Sequence, residues 1–166
     1  MTSTPPIRPS EAILAFYHKR FDFESRARRS EFWWVQLAYF LVGLVAASID
    51  TAILGYPETQ IGTPVILLVE FVFLIPLASL TARRLHDVGL TGWAQLPAFI
   101  LYVEYLPGYE GFVLDGFETG GPERVLTILM YIYLVWILFY FVRSGEAGVN
   151  RFGENPKEPP LSDTFD

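Results

Sequence analysis

The fold is decided by one stretch, Arg83-Arg84-Leu85-His86-Asp87-Val88-Gly89-Leu90-Thr91-Gly92-Trp93. It places two arginines, a histidine and an aspartate between two long apolar runs, and its two glycines allow the chain to reverse direction. Charged side chains are costly to leave in hydrocarbon. The pattern therefore predicts a short aqueous turn between two membrane-spanning helices.

The composition is typical of a membrane protein. Hydrophobic residues make up 52% of the chain and charged residues 18%, against about 25% charged in an average soluble domain, and the mean hydropathy is +0.34. The net charge of −6 and the lack of a concentrated basic face argue against nucleic-acid binding. The chain has no cysteine and only two histidines, so we expect no metal site, and without a Gly-rich nucleotide loop we expect no cofactor.

Four apolar runs lie along the chain as candidate membrane crossings. They cover residues 32–54, 63–82, 91–106 and 125–142. The third is the shortest and contains Pro97, so a kinked or partly re-entrant helix is an alternative there. The sequence therefore predicts an all-α, polytopic membrane protein with four transmembrane helices in a single domain over residues 10–156.

The two ends of the chain, residues 1–9 and 157–166, are polar and are predicted to be disordered tails. Between the first tail and the first span, a short amphipathic helix is predicted to begin near Ser10. Its apolar side chains gather on one side: Ile13, Leu14, Phe16 and Tyr17. Such a helix either lies flat at the membrane surface or packs against the protein's own loops, and the sequence leaves both open.

The distribution of positive charge predicts the orientation in the membrane. Every Lys and Arg except Arg124 falls before the first run, between the second and third, or after the fourth. With four crossings these three segments share one face of the membrane. Positively charged segments remain on the cytoplasmic side, so both termini and the turn after Arg83 are predicted to be cytoplasmic.

Three segments together resemble domain of unknown function family 805, a family of bacterial inner-membrane proteins. Residues 23–33 read FESRARRSEFW, similar to the family pattern F-x-G-R-x-x-R-x-E-F-W, with Ser25 where the family usually has Gly. The opening stretch is similar to R-R-L-H-D-x-G-x-S-G-W, and residues 145–156 are similar to G-x-x-G-x-N-x-[YF]-G-x-x-P. The resemblance covers roughly residues 20–156. It implies a multi-span protein of the bacterial inner (plasma) membrane and implies no activity.

The predicted topology brings these three motifs to the cytoplasmic face. We name their chemistry-bearing side chains the polar cluster: Arg26, Arg29, Glu31, Arg83, Arg84, His86, Asp87 and Asn150. Because guanidinium groups bind carboxylates bidentately, one interpretation is a set of ion pairs that holds the helix ends together. In another, the arginines bind an anionic lipid headgroup, with His86 as a pH-responsive group. A hydrolase built on His86 and Asp87 is a third, weaker interpretation, since catalytic metal sites usually need three protein ligands.

Glu70 is the acidic residue placed deepest within a predicted span. It lies about seven residues, or roughly 10 Å, from the start of the second run, and no basic residue lies inside any of the four runs to pair with it. We predict either a protonated or hydrogen-bonded structural acid, or an acid on a proton or cation pathway.

These observations favour an integral inner-membrane protein of unknown biochemical activity that is not an enzyme. Its leading interpretation is a binding or assembly component that acts through the polar cluster. The alternative is a small transporter or proton-coupled permease that uses Glu70, and the third is an enzyme or sensor acting on anionic lipid headgroups. The expected partners are the lipid bilayer, with anionic headgroups or another membrane protein, and no nucleic acid.

Overall fold

A computed structural model of the chain describes residues 7–56, 63–98 and 122–158. The helices are α1 (Pro9–His18), α2 (Arg29–Ala52), α3 (Pro64–Asp87) and α4 (Pro122–Val142), with a short 3-10 helix over Gly92–Gln95. Within the described ranges there is no β-strand, only an isolated antiparallel bridge between Asn150 and Gly153. The prediction of an all-helical protein is confirmed for this part of the chain.

Among the described residues, three helices are long and apolar enough to cross a membrane: Arg29–Ala52, Pro64–Asp87 and Arg124–Val142. They correspond to the first, second and fourth predicted runs. Of the third run, the described part contains the 3-10 helix and helical residues 96–98, whereas residues 99–106 lie outside it. The predicted tails at 1–9 and 157–166 also lie mostly outside the described residues, with α1 beginning at Pro9.

Helix α1 rests on α2 and α3 through part of its apolar surface. Ala12 and Phe16 are buried, and the ring of Phe16 stacks on Phe73 of α3 with 6.1 Å between centroids. Its other apolar side chains are exposed: Ile13, Leu14 and Tyr17. The helix therefore packs against the protein's own helices, and it keeps an apolar edge of the kind that lies against a membrane surface.

Helices α2 and α3 form an antiparallel hairpin whose buried core lies near one end of the bundle. Phe32 and Val35 of α2 pack there with Leu80 of α3. Phe141 of α4 joins this core, with its ring centroid 4.8 Å from that of Phe32. The N-terminal end of α2 and the C-terminal ends of α3 and α4 therefore meet.

Most of the remaining helix surface is apolar and exposed, as the side chains of Phe40, Phe71 and Val135 illustrate at 61%, 79% and 70% exposure. Contiguous apolar surface on this scale marks contact with a membrane or a partner. Together with helix length, this surface identifies the chain as a membrane protein.

The far end of the α2–α3 hairpin is held by the carboxylate of Asp50, which is 1% exposed. Oδ2 accepts hydrogen bonds from the Thr63 hydroxyl (2.6 Å) and the Ile66 N–H (3.0 Å), and Oδ1 accepts one from the Val65 N–H (3.1 Å). N–H groups in the first turn of a helix have no partner within that helix, and the helix dipole favours negative charge there. Asp50 of α2 thus caps α3.

Candidate functional site

The connector between α1 and α2 is shaped by two side chains. The Ser79 hydroxyl of α3 lies 3.0 Å and 2.6 Å from the carbonyl oxygens of Lys19 and Asp22. The Asp22 carboxylate accepts hydrogen bonds from the backbone N–H groups of Glu24 and Ser25, both at 3.0 Å, and from the Ser25 hydroxyl. Ser25 therefore supports the turn with its side chain, at a position where the family usually has glycine, and without a positive φ.

This network changes the acidity of Asp22. Burial by itself would raise the pKa of the Asp22 carboxyl, but the hydrogen bonds from Ser25 and Glu24 and the positive charge of Arg83 together lower that pKa below its usual 3.8. The connector therefore carries an ionised carboxylate, that of Asp22, near the positive charge of Arg83.

Asp87, the last residue of α3, lies between two buried arginines. Its Oδ1 accepts hydrogen bonds from Nε (3.2 Å) and Nη2 (3.0 Å) of Arg26, and its Oδ2 accepts one from Nη1 of Arg84 (2.5 Å). None of the three side chains is more than 1% exposed. Buried charges are tolerated when they are paired and further hydrogen-bonded, and both conditions hold here.

Arg26 extends the pairing to the segment that follows α4. Its Nη1 donates to the carbonyl oxygens of Gly148 (2.8 Å) and Gly153 (3.3 Å), and its Nη2 donates to the carbonyl oxygen of Glu146 (2.6 Å). Every nitrogen of this guanidinium therefore has an acceptor within the chain. Arg26 joins the connector, the end of α3 and residues 146–153.

Arg84 and Arg29 bind the end of α4. Arg84 donates from Nε and Nη2 to the carbonyl oxygen of Phe141 (3.2 and 3.1 Å), and from Nη2 to those of Tyr140 (3.3 Å) and Arg143. Arg29 donates to the carbonyl oxygen of Val142 (3.1 Å). The last carbonyls of a helix lack intrahelical partners, and the helix dipole favours positive charge there. The two arginines therefore cap α4.

Arg83 pairs with α2 instead. Its Nη1 donates to Glu31 Oε1 at 2.7 Å, and its side chain is fully buried. Its Nε and Nη2 make no hydrogen bond to any described residue. The pair Arg83–Glu31 therefore joins α2 to α3 at the same end where Arg84 joins α3 to α4.

The His86 ring is positioned by hydrogen bonds at both of its nitrogens and by stacking on an aromatic ring. Its Nε2 accepts a hydrogen bond from the Gly92 N–H (3.2 Å), so the ring proton lies on Nδ1, which is 3.2 Å from the carbonyl oxygens of both Glu24 and Ser25. The ring stacks on Phe152 with 3.8 Å between centroids. Both ring nitrogens are thus engaged with backbone groups.

Asn150 completes the polar cluster from the C-terminal segment. Its Nδ2 donates to the His86 carbonyl oxygen (3.0 Å) and to Glu146 Oε2 (2.9 Å), and its Oδ1 accepts the Phe152 N–H (2.9 Å). The segment closes on itself through the bridge between Asn150 and Gly153.

The prediction of an aqueous turn at residues 83–93 is wrong for its charged half. Residues 83–87 form the last helical residues of α3 and are buried, and the chain turns only after Asp87. The charges are compensated within the protein. Arg84 and Asp87 pair with each other, and the other partners come from segments more than fifty residues away in the sequence.

The structure brings all eight residues of the polar cluster to one end of the bundle. Arg29 is exposed, Asn150 is half-buried and the other six are buried. Sequence reasoning missed four contributors: Asp22, Ser79, Gly145 and Glu146. Gly145 and Glu146 lie inside the third motif, and their places in that motif were the signal that could have identified them. Nothing in the apolar run around Ser79 indicated that this serine contacts the connector.

Glu70 lies half-buried on α3 and away from the polar cluster. It lines a cavity of about 320 Å³ between α2, α3 and α4, together with Gln36 and Tyr39 of α2. The predicted intramembrane acid thus faces an opening within the bundle.

A second cavity of about 810 Å³ lies beside the polar cluster, between the connector, α3 and the C-terminal segment. His86 and Trp93 line it, and its charged lining residues in the described part are Glu24 and Arg151. The buried arginines expected to meet a lipid headgroup, Arg26 among them, do not line this cavity.

The chain matches the model of a protein family described as protein of unknown function (DUF805) over residues 20–154. It is similar to the inner membrane protein YhaI of Escherichia coli K12 and to that of Escherichia coli O157:H7. Each is 28% identical over 135 residues, which cover 81% of this chain and 86% of the relative. No solved structure matches. Because the family model spans most of the chain, including the first two motifs and residues 145–154 of the third, the protein belongs to the DUF805 family of unknown function.

Proposed function

We propose that the protein is a non-enzymatic, integral component of the bacterial inner membrane that acts by binding or assembly, with the polar cluster holding its helix ends together. The observation that carries this proposal is that two members of the cluster, Arg26 and His86, have their hydrogen-bonding groups engaged from within the chain. Each nitrogen of the Arg26 guanidinium has an acceptor, and both ring nitrogens of His86 engage backbone groups. Side chains engaged in this way contribute rigidity to the structure that holds them.

Location in the inner membrane with both termini in the cytoplasm is part of the proposal. The curated relatives are named inner membrane proteins. The bundle end that carries the polar cluster also carries the basic segments before α2 and after α4. The positive-inside rule supports a cytoplasmic position for that end.

Four crossings are supported by the direction of the described helices. Arg84 of α3 contacts the last turn of α4, and Leu74 and Leu77 of α3 line the same cavity as Leu134 and Ile137 of α4. The two helices therefore run in the same direction, so that α3 ends and α4 begins at opposite ends of the bundle. One further membrane crossing by the chain between α3 and α4 would connect these two ends, which gives four crossings in total.

The topology is tested by cysteine labelling, for which the cysteine-free chain is a ready background. Single Thr91→Cys and Thr119→Cys variants are treated in intact spheroplasts with a membrane-impermeant maleimide. We expect labelling of the second variant only, and labelling of both after permeabilisation as the control. Labelling at position 91 but not at 119 in intact spheroplasts would contradict the proposed orientation.

The assembly role is tested by affinity purification of the protein from its native membrane in mild detergent. We expect a membrane protein to co-purify in a constant molar ratio. A protein that elutes alone and turns over phospholipid headgroups, with turnover lost in His86→Ala, would contradict the non-enzymatic proposal.

Transport is a second candidate function, because Glu70 lines a cavity between α2, α3 and α4. Intramembrane carboxylates that line cavities are typical of ion and solute pathways. Flux of protons or amines into liposomes that contain the protein, abolished in Glu70→Gln and retained in Glu154→Gln, is the expected result. Equal flux in liposomes without the protein would contradict it.

A further inference from the structure

The edge of α1 that is turned away from the bundle is apolar. Leu14 and Tyr17 are 59% and 62% exposed, and with Ile13 they lie within about 100° of one another around the helix axis. Phe21, in the turn just after the helix, is 66% exposed. The neighbouring face of the helix is the one buried against α2 and α3. The helix is therefore held by one face and presents a second, apolar face to its surroundings.

The surroundings of this edge follow from its level along the α2–α3 hairpin. Just after α1, the carbonyl oxygen of Lys19 accepts a hydrogen bond from the hydroxyl of Ser79 (3.0 Å). Ser79 immediately precedes Leu80, which packs with Phe32 of α2, so Trp33 lies at the same level. Trp33 is exposed, and tryptophans at the ends of spanning helices are typical of the membrane–water interface. The end of α1 therefore lies at the level of the lipid headgroups.

The charge held beside this edge is positive. The Arg20 guanidinium lies over two of the exposed rings, with Cζ 4.8 Å from the ring centroid of Tyr17 and 5.2 Å from that of Phe21. Its Nη1 donates to the carbonyl oxygen of Tyr17 (2.8 Å), which leaves further N–H donors of the guanidinium for a second acceptor. The acids of this segment, Glu11 and Asp22, direct their carboxylates to backbone N–H groups of their own turns. A phosphate group matches Arg20, because guanidinium groups bind phosphate bidentately.

We propose that α1 and the turn after it anchor the protein on the anionic surface of the membrane it spans, with Arg20 bound to the phosphate of an anionic phospholipid. Leu14, Tyr17 and Phe21 insert among the lipid chains. Helices that lie in the membrane interface combine such an apolar edge with basic residues, and each basic residue near an anionic leaflet strengthens the attraction.

A lipid is favoured over a partner protein because the edge lies at the same level as Trp33, beside the exposed apolar surface of α2, which a membrane protein presents to lipid. One molecule, with a phosphate and acyl chains, matches both the guanidinium and the apolar rings. This inference goes beyond the proposed function. It concerns a surface outside the polar cluster and needs only that the protein spans a membrane.

The lipid next to α1 is identified by fluorescence quenching. Single Ile13→Cys and Ala15→Cys variants of the cysteine-free chain are labelled with bimane at full length, in nanodiscs of phosphatidylcholine mixed with phosphatidylglycerol. In matched preparations one lipid or the other carries brominated acyl chains, which quench a nearby fluorophore. We expect quenching at position 13, stronger with brominated phosphatidylglycerol at equal mole fraction. Quenching by either lipid should be much weaker at position 15, about 160° around the helix from position 13.

The role of Arg20 is tested in the Ile13→Cys background. Arg20→Gln should lower the preference for phosphatidylglycerol over phosphatidylcholine about fivefold, the effect expected of one charge near an anionic surface. Arg20→Lys keeps the charge and should retain most of the preference. Arg143→Gln removes an exposed arginine from the segment after α4 and should leave the preference unchanged.

The remaining outcomes would overturn the proposal. Absence of quenching at position 13 by either lipid would show that the edge of α1 is in water or is covered by protein, such as a second copy of the chain. Equal quenching by the two lipids would show that no anionic headgroup is selected there. A preference that falls equally in Arg20→Lys would assign Arg20 to the shape of the turn, and one that falls equally in Arg143→Gln would assign it to the general surface potential.

Discussion

Gly145 lies so close to Asp87 that a methyl group at this position would collide with the carboxylate that pairs with Arg26 and Arg84. A Cβ placed on this residue would lie 2.0 Å from Asp87 Oδ2 and 2.4 Å from its Cγ. Nothing larger than hydrogen fits there, because the Asp87 carboxylate is held on its other sides by Arg26 and Arg84. The glycine that opens the third motif is therefore required by close approach, without any need for a positive φ.

Gly145→Ala should lower the free energy of unfolding by about 1–3 kcal/mol, the usual cost of overpacking. Thermal unfolding of the purified protein in detergent measures this loss. Gly43→Ala is the matched control, because no atom lies within 4 Å of a Cβ at that position and alanine is the better helix former by up to about 1 kcal/mol. Equal stability of the two variants would show that Asp87 has room to move.

The pKa of Asp22 predicts a pH-dependent contribution to stability. Since its pKa is lower in the folded protein than its usual 3.8, the contribution is fully present above that value and is lost as the pH falls through the folded-state pKa. Asp22→Asn should therefore destabilise the protein at neutral pH, by about 1 kcal/mol for the weakened hydrogen bonds. The difference from the wild type should vanish in acid. Thermal unfolding of both proteins across the acidic range checks this, and a difference independent of pH would contradict it.

The sequence was sufficient to predict which residues belong to the polar cluster, but not which of them pair with each other. Charges between apolar runs must be compensated somewhere, so the importance of Arg83, Arg84 and Asp87 follows from their positions. Which partner each receives depends on how α2 and α3 face each other. The same reasoning could not find Ser79, because a serine in an apolar run has the same appearance whether or not it binds the connector.

At the scale of elements, two helix ends are capped by a charge of the sign that the dipole of the capped helix favours. Asp50 caps the N-terminus of α3, and Arg29 and Arg84 cap the C-terminus of α4. In both cases the capping side chain comes from a neighbouring helix. Each of these capping side chains therefore also joins two helices.

Asp50→Ala should destabilise the start of α3 by about 2 kcal/mol, near the upper end of measured N-cap effects. The N–H groups of Val65 and Ile66 lose their acceptor, so their amide hydrogens should exchange faster with solvent. Hydrogen exchange measured by mass spectrometry resolves this segment. Ser48→Ala serves as the control, since the Ser48 hydroxyl is bound within its own helix to Leu44. Unchanged exchange in the Asp50 variant would contradict the capping role.

At the scale of the whole molecule, Arg26 joins parts of the chain that are far apart in sequence. It contacts Asp87 at the end of α3 and the carbonyl oxygens of residues 146, 148 and 153. The C-terminal segment otherwise attaches through a few hydrogen bonds, such as that from Arg151 to the Gly89 carbonyl oxygen. Arg26 thus donates three of the hydrogen bonds that hold this segment, beside the hydrogen bond from Asn150 to the His86 carbonyl oxygen and the stacking of Phe152 on His86.

Arg26→Ala should release the C-terminal segment while the helices remain assembled. Hydrogen bonds to charged groups contribute about 1.5–3 kcal/mol each, so the segment should open at least about tenfold more often. Limited trypsin digestion should then cleave after Arg151 correspondingly faster. Arg20→Ala, in the same connector but bonded only locally to Tyr17, should leave the cleavage rate unchanged. Equal rates in both variants would contradict the role of Arg26.

The sequence by itself determined the class of this protein. Long apolar runs, the asymmetry of Lys and Arg, and the three motifs indicated a helical membrane protein of the DUF805 family, because the cost of polar groups in hydrocarbon constrains each run independently of its neighbours. Only the tertiary structure decided that residues 83–87 are a buried helix end rather than an aqueous turn. It also decided that Arg83 binds Glu31 while Arg26 and Arg84 share Asp87. Both outcomes depend on which segments meet, and that is set by packing among distant residues rather than by any local pattern.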